Sequence, residues 1–286
     1  MASALATTSS SLSQGLRSAQ AEFREGSLNQ PTIEERFATV RNAGRRAFVP
    51  YITAGDPSPA RTVDLLRGLE DAGADVIEVG VPFSDPMADG PVIQASSQRA
   101  LQQGVRLDGV LDMIVQAGLA TPIVLFSYLN PIIAAGKTVL ERAAAAGCHG
   151  VLITDLPVGA DPEREQWLGS GPLAFIRLVA PTTPVERMRE IGKHGGGFVY
   201  LISRLGVTGV QDSLASDLPE TIARLRGATT LPICVGFGVS RADQATAVAR
   251  LADGVVIGSA IVLAAAESVS SAVAFAREMR RAIDAA

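Results

Sequence analysis

Glu78 interrupts an otherwise apolar run, Ile77-Glu78-Val79, and the loop behind it sets two further acids among three prolines: Pro82-Phe83-Ser84-Asp85-Pro86-Met87-Ala88-Asp89-Gly90-Pro91. If the run is a strand, alternation turns Glu78 away from Ile77 and Val79, either into a barrel interior or towards a covering helix. A carboxyl buried without a partner keeps its proton towards neutral pH, as a general acid/base requires. The plainer alternative is a structural Glu bonded to a neighbouring strand. A second acid, Asp85 or Asp89, would complement the first by holding a substrate N–H and stabilising positive charge. Prolines restrict the shape of the loop that presents them, although both Asp residues would also suit turns before Pro and Gly.

Three glycine-rich segments point to an anion. They are Ser203-Arg204-Leu205-Gly206-Val207-Thr208-Gly209, Gly236-Phe237-Gly238-Val239-Ser240 and Gly258-Ser259-Ala260. Glycine lets backbone N–H groups wrap a phosphate, and a helix start adds its positive end. Ordinary strand-to-helix turns would explain one such segment more easily than three. The lysines are Lys137 and Lys193, both in helix-like stretches, which argues against Schiff-base chemistry. No metal site is expected: His149 and His194 are the histidines, and Cys148 beside His149 is not a ligand set.

Eight short apolar runs can position these groups: Ala47–Ile52, Asp75–Val79, Pro122–Ser127, Gly150–Thr154, Leu173–Val179, Gly197–Ile202, Pro232–Val235 and Gly254–Ile257. Nearly continuous apolar character suits parallel strands covered on both faces. Helical periodicity follows most of them, at Arg61–Asp71, Val110–Ala117, Lys137–Ala146, Val185–Lys193, Leu218–Leu225 and Arg241–Leu251. Gly73 and Gly147 read as left-handed helix stops. Eight βα units without a terminal antiparallel strand predict a closed (β/α)8 TIM barrel in preference to an open doubly wound sheet. In such a barrel the chemistry gathers where strands end, and phosphate commonly sits at the seventh and eighth loops.

The 286 residues, 47% hydrophobic and 19% charged, are enough for one such domain and exclude disorder of the whole chain. A net charge of -4 with scattered Lys and Arg excludes a nucleic-acid role. Cys148 and Cys234 sit beside apolar runs and read as buried free thiols of a cytoplasmic protein. No apolar run approaches the roughly 18 residues of a membrane span. Residues 1–31 are expected to form a disordered extension ahead of a catalytic domain over 32–286. Met1 to Gln20 is Ser-rich, with Arg17 its one basic residue and no acid, which leaves a plastid transit peptide as the weaker alternative. The domain opens at Thr32, where Thr32 and Glu35 make a capping-box pattern.

Several stretches, taken together, resemble the tryptophan synthase α family in order and spacing from about Ile33 onward. These are Pro50-Tyr51-Ile52-Thr53-Ala54-Gly55-Asp56-Pro57, Glu78 through Pro91, Asp155-Leu156-Pro157, Ala180-Pro181-Thr182-Thr183-Pro184, Tyr200 through Gly209 and Gly236-Phe237-Gly238-Val239-Ser240. The resemblance implies retro-aldol cleavage of indole-3-glycerol phosphate to indole and glyceraldehyde 3-phosphate. Glu78 would be the acid/base at indole C3 and Asp89 the holder of the indole N–H. Tyr200 would lie beside Glu78, Thr208 would close on Asp89, and Tyr128 and Phe237 would surround the indole. Gly209, Gly238, Gly258 and Ser259 would bind phosphate.

By the same resemblance no cofactor is needed. Pyridoxal phosphate is expected only in the partner, a β subunit of an α2β2 heterotetramer docking near Asp85 and on Asn130-Pro131-Ile132. Thr154 before Asp155, and His149, depart from the family's usual residues. A stand-alone lyase that releases free indole, a different sugar-phosphate barrel enzyme and a non-catalytic phosphate-binding partner of a β subunit are the competing readings.

Overall fold

Strands without a polar face must be covered on both sides, and a closed barrel ringed by helices covers them. The computed structural model describes residues 30–202, 217–236 and 238–286. Within them β1 (Ala47–Thr53), β2 (Ile77–Gly80), β3 (Ile123–Ser127), β4 (Cys148–Ile153), β5 (Ala174–Val179), β6 (Val199–Ile202), β7 (Ile233–Gly236) and β8 (Gly254–Ile257) pair in sequence order. Pairing of β1 with β8 closes the ring, and every ladder is parallel. This is the expected (β/α)8 barrel. Pro31–Ala286 is one compact unit. The extension expected over 1–31 lies, but for Gln30 and Pro31, outside the described residues.

Twelve helices accompany the strands among the described residues: α1 (Ile33–Asn42), α2 (Pro59–Asp71), α3 (Pro91–Gln102), α4 (Leu107–Ala117), α5 (Leu129–Ala134), α6 (Val139–Ala145), α7 (Pro162–Gly169), α8 (Val185–Lys193), α9 (Leu218–Arg226), α10 (Ala242–Ala249), α11 (Ser259–Glu267) and α12 (Val269–Asp284). The periodic stretches expected to be helical are so, within a few residues at each end. Strand starts shift by up to two residues. Gly197 has φ +69°, outside strand geometry, so β6 begins at Val199.

Strand alternation divides the apolar side chains into two sets. Ile77, Val79, Leu125 and Val151 pack between strands and helices, while Val49, Tyr51, Val124, Phe126, Leu152 and Tyr200 fill the barrel. The N-terminal end of the barrel is stoppered by α1. Its capping box is formed as the sequence pattern predicts, with Thr32 N donating to Glu35 Oε2 at 2.8 Å and Glu35 N to Thr32 Oγ1 at 3.2 Å. Ile33 and Phe37 point inward, Phe37 meeting Phe198 at 5.6 Å between ring centroids. A Cβ on Gly150 would lie 2.8 Å from Ile33 Cδ1, so Gly150 makes the seat for this stopper.

Asp75, expected at the head of β2, instead fastens the bottom. Its Oδ2 accepts from Phe48 N at 3.0 Å and from Arg280 Nη1 at 2.8 Å, while Arg280 Nη2 donates to Arg46 O and Asp284. Both side chains of the Asp75–Arg280 pair are almost wholly buried. Breaking one partner of such a pair strands a buried charge. Arg280→Ala is expected to cost about 3 kcal/mol and to lower the melting temperature by about 10 °C; an unchanged thermal melt would contradict the fastening role.

Candidate active site at the C-terminal mouth of the barrel

Register decides where Glu78 points. It pairs with Tyr51 on β1 and Val124 on β3, both members of the inner set, so Glu78 faces the barrel interior. Glu78 is 1% exposed, and among the described residues neither carboxyl oxygen has a hydrogen-bond partner. Burial pushes its pKa well above the usual carboxylate range, the direction a general acid requires. The alternative of a structural Glu bonded to a neighbouring strand is not what the structure shows. Tyr200, also inward and buried, has its phenol pKa raised first by burial and next by the Glu78 charge. A Cβ on Gly236 would lie 2.2 Å from Tyr200 Oη, so the glycine of β7 makes room for this ring.

The second loop separates the two aspartates that the sequence left open. Asp85 is exposed and accepts from its neighbour Ser84 Oγ at 2.6 Å. Asp89 is 7% exposed and turns inward. Its Oδ2 accepts a 3.1 Å hydrogen bond from Tyr128 Oη, which itself accepts from Ala88 N at 2.9 Å. Burial raises the Asp89 pKa to about 6, with the Tyr128 hydrogen bond opposing the rise. Tyr128 was expected only as part of the pocket wall; it is also the tether of Asp89, and Phe83 lies on its ring at 5.0 Å between centroids.

Loop shape comes from α3, which starts immediately behind Asp89 with Gly90 as N-cap and Pro91 in its first turn. Gln94 Nε2 donates to Asp89 O at 2.9 Å. Further along the helix, Arg99 grips Asp56 through two 2.7 Å hydrogen bonds, and Gln103 Nε2 donates to Pro57 O at 2.7 Å. The Gly55-Asp56-Pro57 motif therefore braces the first loop against α3 and is not a source of reacting groups.

At the opposite rim, Gly258 and Ser259 open α11, whose N-terminus has no side-chain cap. Gly238, at φ +94°, lies in the loop after the adjacent strand β7. Unclaimed amides at a helix start suit an anion. Thr208, Gly209 and Phe237 lie outside the described residues.

Of the third-loop residues, Asn130 is exposed and Pro131 half-buried, but Ile132 is fully buried in the core and offers no surface. The pattern of the sequence made Ile132 contiguous with its exposed neighbours; the turn of α5 carries it inward. Asp155 accepts from Leu129 N at 2.8 Å and so steadies the start of α5. Lys137 and Lys193 are exposed, away from the strand ends. His149 sits at the start of β4, and His194 pairs with Glu190 on the surface.

Residues 37–284 match the family model described as tryptophan synthase alpha chain. A tryptophan synthase alpha chain of Alkalilimnicola ehrlichii is 47% identical over 264 residues, covering 88% of this chain and 96% of that one. The corresponding chain of Laribacter hongkongensis is 45% identical over 88% of this chain and 99% of its own length. Among solved structures, tryptophan synthase of Mycobacterium tuberculosis superposes with a TM-score of 0.83 at 32% identity, covering 90% of this chain and 99% of that one. The alpha subunit from Legionella pneumophila does so at 0.81 and 35%, covering 89% and 98%.

A raised carboxyl pKa is a stability statement. The protonated form of Asp89 folds without penalty, whereas the anion is buried at a cost, so this contribution is intact below pH 4 and is lost as pH rises through about 6. Asp89→Asn should match the parent chain in urea unfolding at pH 3.5 and exceed it by about 3 kcal/mol at pH 8. A variant less stable at pH 8 would refute this reading of the Asp89 environment.

Proposed function

The chain belongs to the tryptophan synthase alpha chain family, and we propose that within it Glu78 is the general acid and base and Asp89 the anchor for the indole N–H. The reaction is that of a carbon–carbon lyase, splitting indole-3-glycerol phosphate into indole and glyceraldehyde 3-phosphate. One observation carries the assignment of roles. Two carboxyl groups share one mouth but live in different surroundings: Glu78 has no hydrogen-bond partner among the described residues and its pKa is raised well above the usual carboxylate range by burial, whereas Asp89 accepts from Tyr128 and its pKa is raised to about 6. Environments that push two titratable groups apart mark an acid and a stabilising anion.

The protonated Glu78 gives its proton to indole C3, which ends the aromaticity of the five-membered ring and places a positive charge on the ring nitrogen. Asp89 accepts the N–H and steadies that charge. The bond from C3 to the adjacent chain carbon then breaks, its electron pair restoring the aromatic ring. The hydroxyl on that carbon becomes the aldehyde, and its proton returns to Glu78. The electron sink is the protonated indole itself, so no resident cofactor is required. Phosphate would rest on the amides of Gly238, Gly258 and Ser259, with Gly209 contributing from the sixth loop. Thr208 would close over Asp89, and Phe237 and Tyr200 would flank the indole. Closure would keep water from the charged intermediate.

Family membership implies a β subunit as partner. We place its docking surface on Asp85, Asn130 and Pro131, where the neighbouring Met87 is 88% exposed and Ile133 40%. An α2β2 assembly, with pyridoxal phosphate held by the β subunit, follows the family pattern. No helix among the described residues is long and apolar enough to cross a membrane, and a cytoplasmic location fits that.

Glu78→Gln should lower indole formation about a thousandfold while binding of a non-reactive glycerol-phosphate analogue persists; undiminished turnover would remove the acid/base role. Indole release by the parent chain should be slow alone and rise sharply on adding a β subunit. Fast release indifferent to the β subunit would identify a free-standing lyase instead.

A further inference from the structure

Tyr51 is a polar group of the inner set to which the mechanism above gives no role. It is 8% exposed, lies edge-on to Phe126 at 5.1 Å, and extends over Gly80, where a Cβ would sit 2.1 Å from its Oη. Gly80 is two residues beyond Glu78 on the same inward face of β2, so the phenol oxygen stands on the mouth side of the acid.

Its hydrogen-bond direction can be deduced. Ser96 Oγ is 2.8 Å from Ile93 O, and a carbonyl only accepts, so the Ser96 hydrogen is spent there. The 2.7 Å contact between Thr53 Oγ1 and Ser96 Oγ must then use the Thr53 hydrogen. The 3.4 Å contact between Tyr51 Oη and Thr53 Oγ1 is left to the Tyr51 hydrogen. Thr53 and Ser96 are buried to 2% and 0% exposure, so water does not redirect this chain. The phenol hydrogen is therefore spent on Thr53, and Tyr51 Oη is left with lone pairs that can accept.

We propose that Tyr51 is a specificity-determining residue that accepts a hydrogen bond from a hydroxyl on the three-carbon chain of the substrate. This rests on the functional reading above. A buried acceptor with no donor penalises a ligand that supplies none, so the site favours a hydroxylated chain over a deoxy chain. Tyr51 acts on binding of the chain and takes no proton.

The test is calorimetric binding in the Glu78→Gln chain, which holds substrate without turning it over. The two probes are indole-3-glycerol phosphate and indole-3-propanol phosphate, which lacks the chain hydroxyls. Adding Tyr51→Phe should weaken the hydroxylated ligand about tenfold and leave the deoxy ligand within about twofold. Thr53→Val, which removes the acceptor of the phenol hydrogen and lets the phenol turn, should narrow the preference by about threefold. Equal effects of Tyr51→Phe on both ligands, or none on either, would overturn the proposal. Failure of both ligands to bind the Glu78→Gln chain at all would instead bring down the functional reading, and the Tyr51 role with it.

Discussion

A carboxyl group without a partner inside a closed barrel is the condition on which the site depends. Among the described residues nothing supplies Glu78 with a hydrogen bond, and burial holds its pKa well above the usual carboxylate range. The surrounding polar groups are occupied elsewhere: Tyr51 with Thr53, Tyr128 with Asp89 and Ala88. Asp75, equally buried at the other end of the barrel, shows the opposite treatment. It receives a backbone N–H and the Arg280 guanidinium. The fold thus satisfies the acid that fastens and starves the acid that reacts, a division expected where local stability is given up for chemistry.

Much of this was legible in the residues because the relevant physics is local. Nearly continuous apolar runs of four to seven residues read as parallel strands, and the Thr32–Glu35 pattern placed the first helix. The Gly73 and Gly147 stops appear as positive φ angles of 89° and 99°. The face of Glu78 was legible only as a choice between inside and outside; the β1–β2 register resolves it. Asp85 and Asp89 looked alike in sequence because both precede turn formers, and their difference comes from Tyr128, 39 residues away from Asp89. Ile132 was misplaced on the surface because a run of loop residues does not disclose which side of a short helix meets the core. The role of Tyr51 stayed hidden for a similar reason, since its orientation is set by Ser96 on another element.

The motifs that made the family recognisable divide into parts that react and parts that brace. Gly55-Asp56-Pro57 is held by Arg99 and Gln103, and Asp155 steadies α5; neither reaches the mouth as a reacting group. Bracing residues need defined partners as strictly as reacting ones need a defined environment. Both kinds leave a signature in sequence, and only the geometry tells them apart.

The stopper formed by α1 has a consequence for traffic. With Ile33 seated on Gly150 and Phe37 against Phe198, the barrel is a vessel sealed at one end. Among the described residues the way in and out for substrate, both products and any docking protein is the mouth at the other end. A partner that settles on the rim cannot leave the doorway as it found it. It must either become the next room or wait its turn, so the order of arrivals and departures at that threshold governs what the vessel delivers.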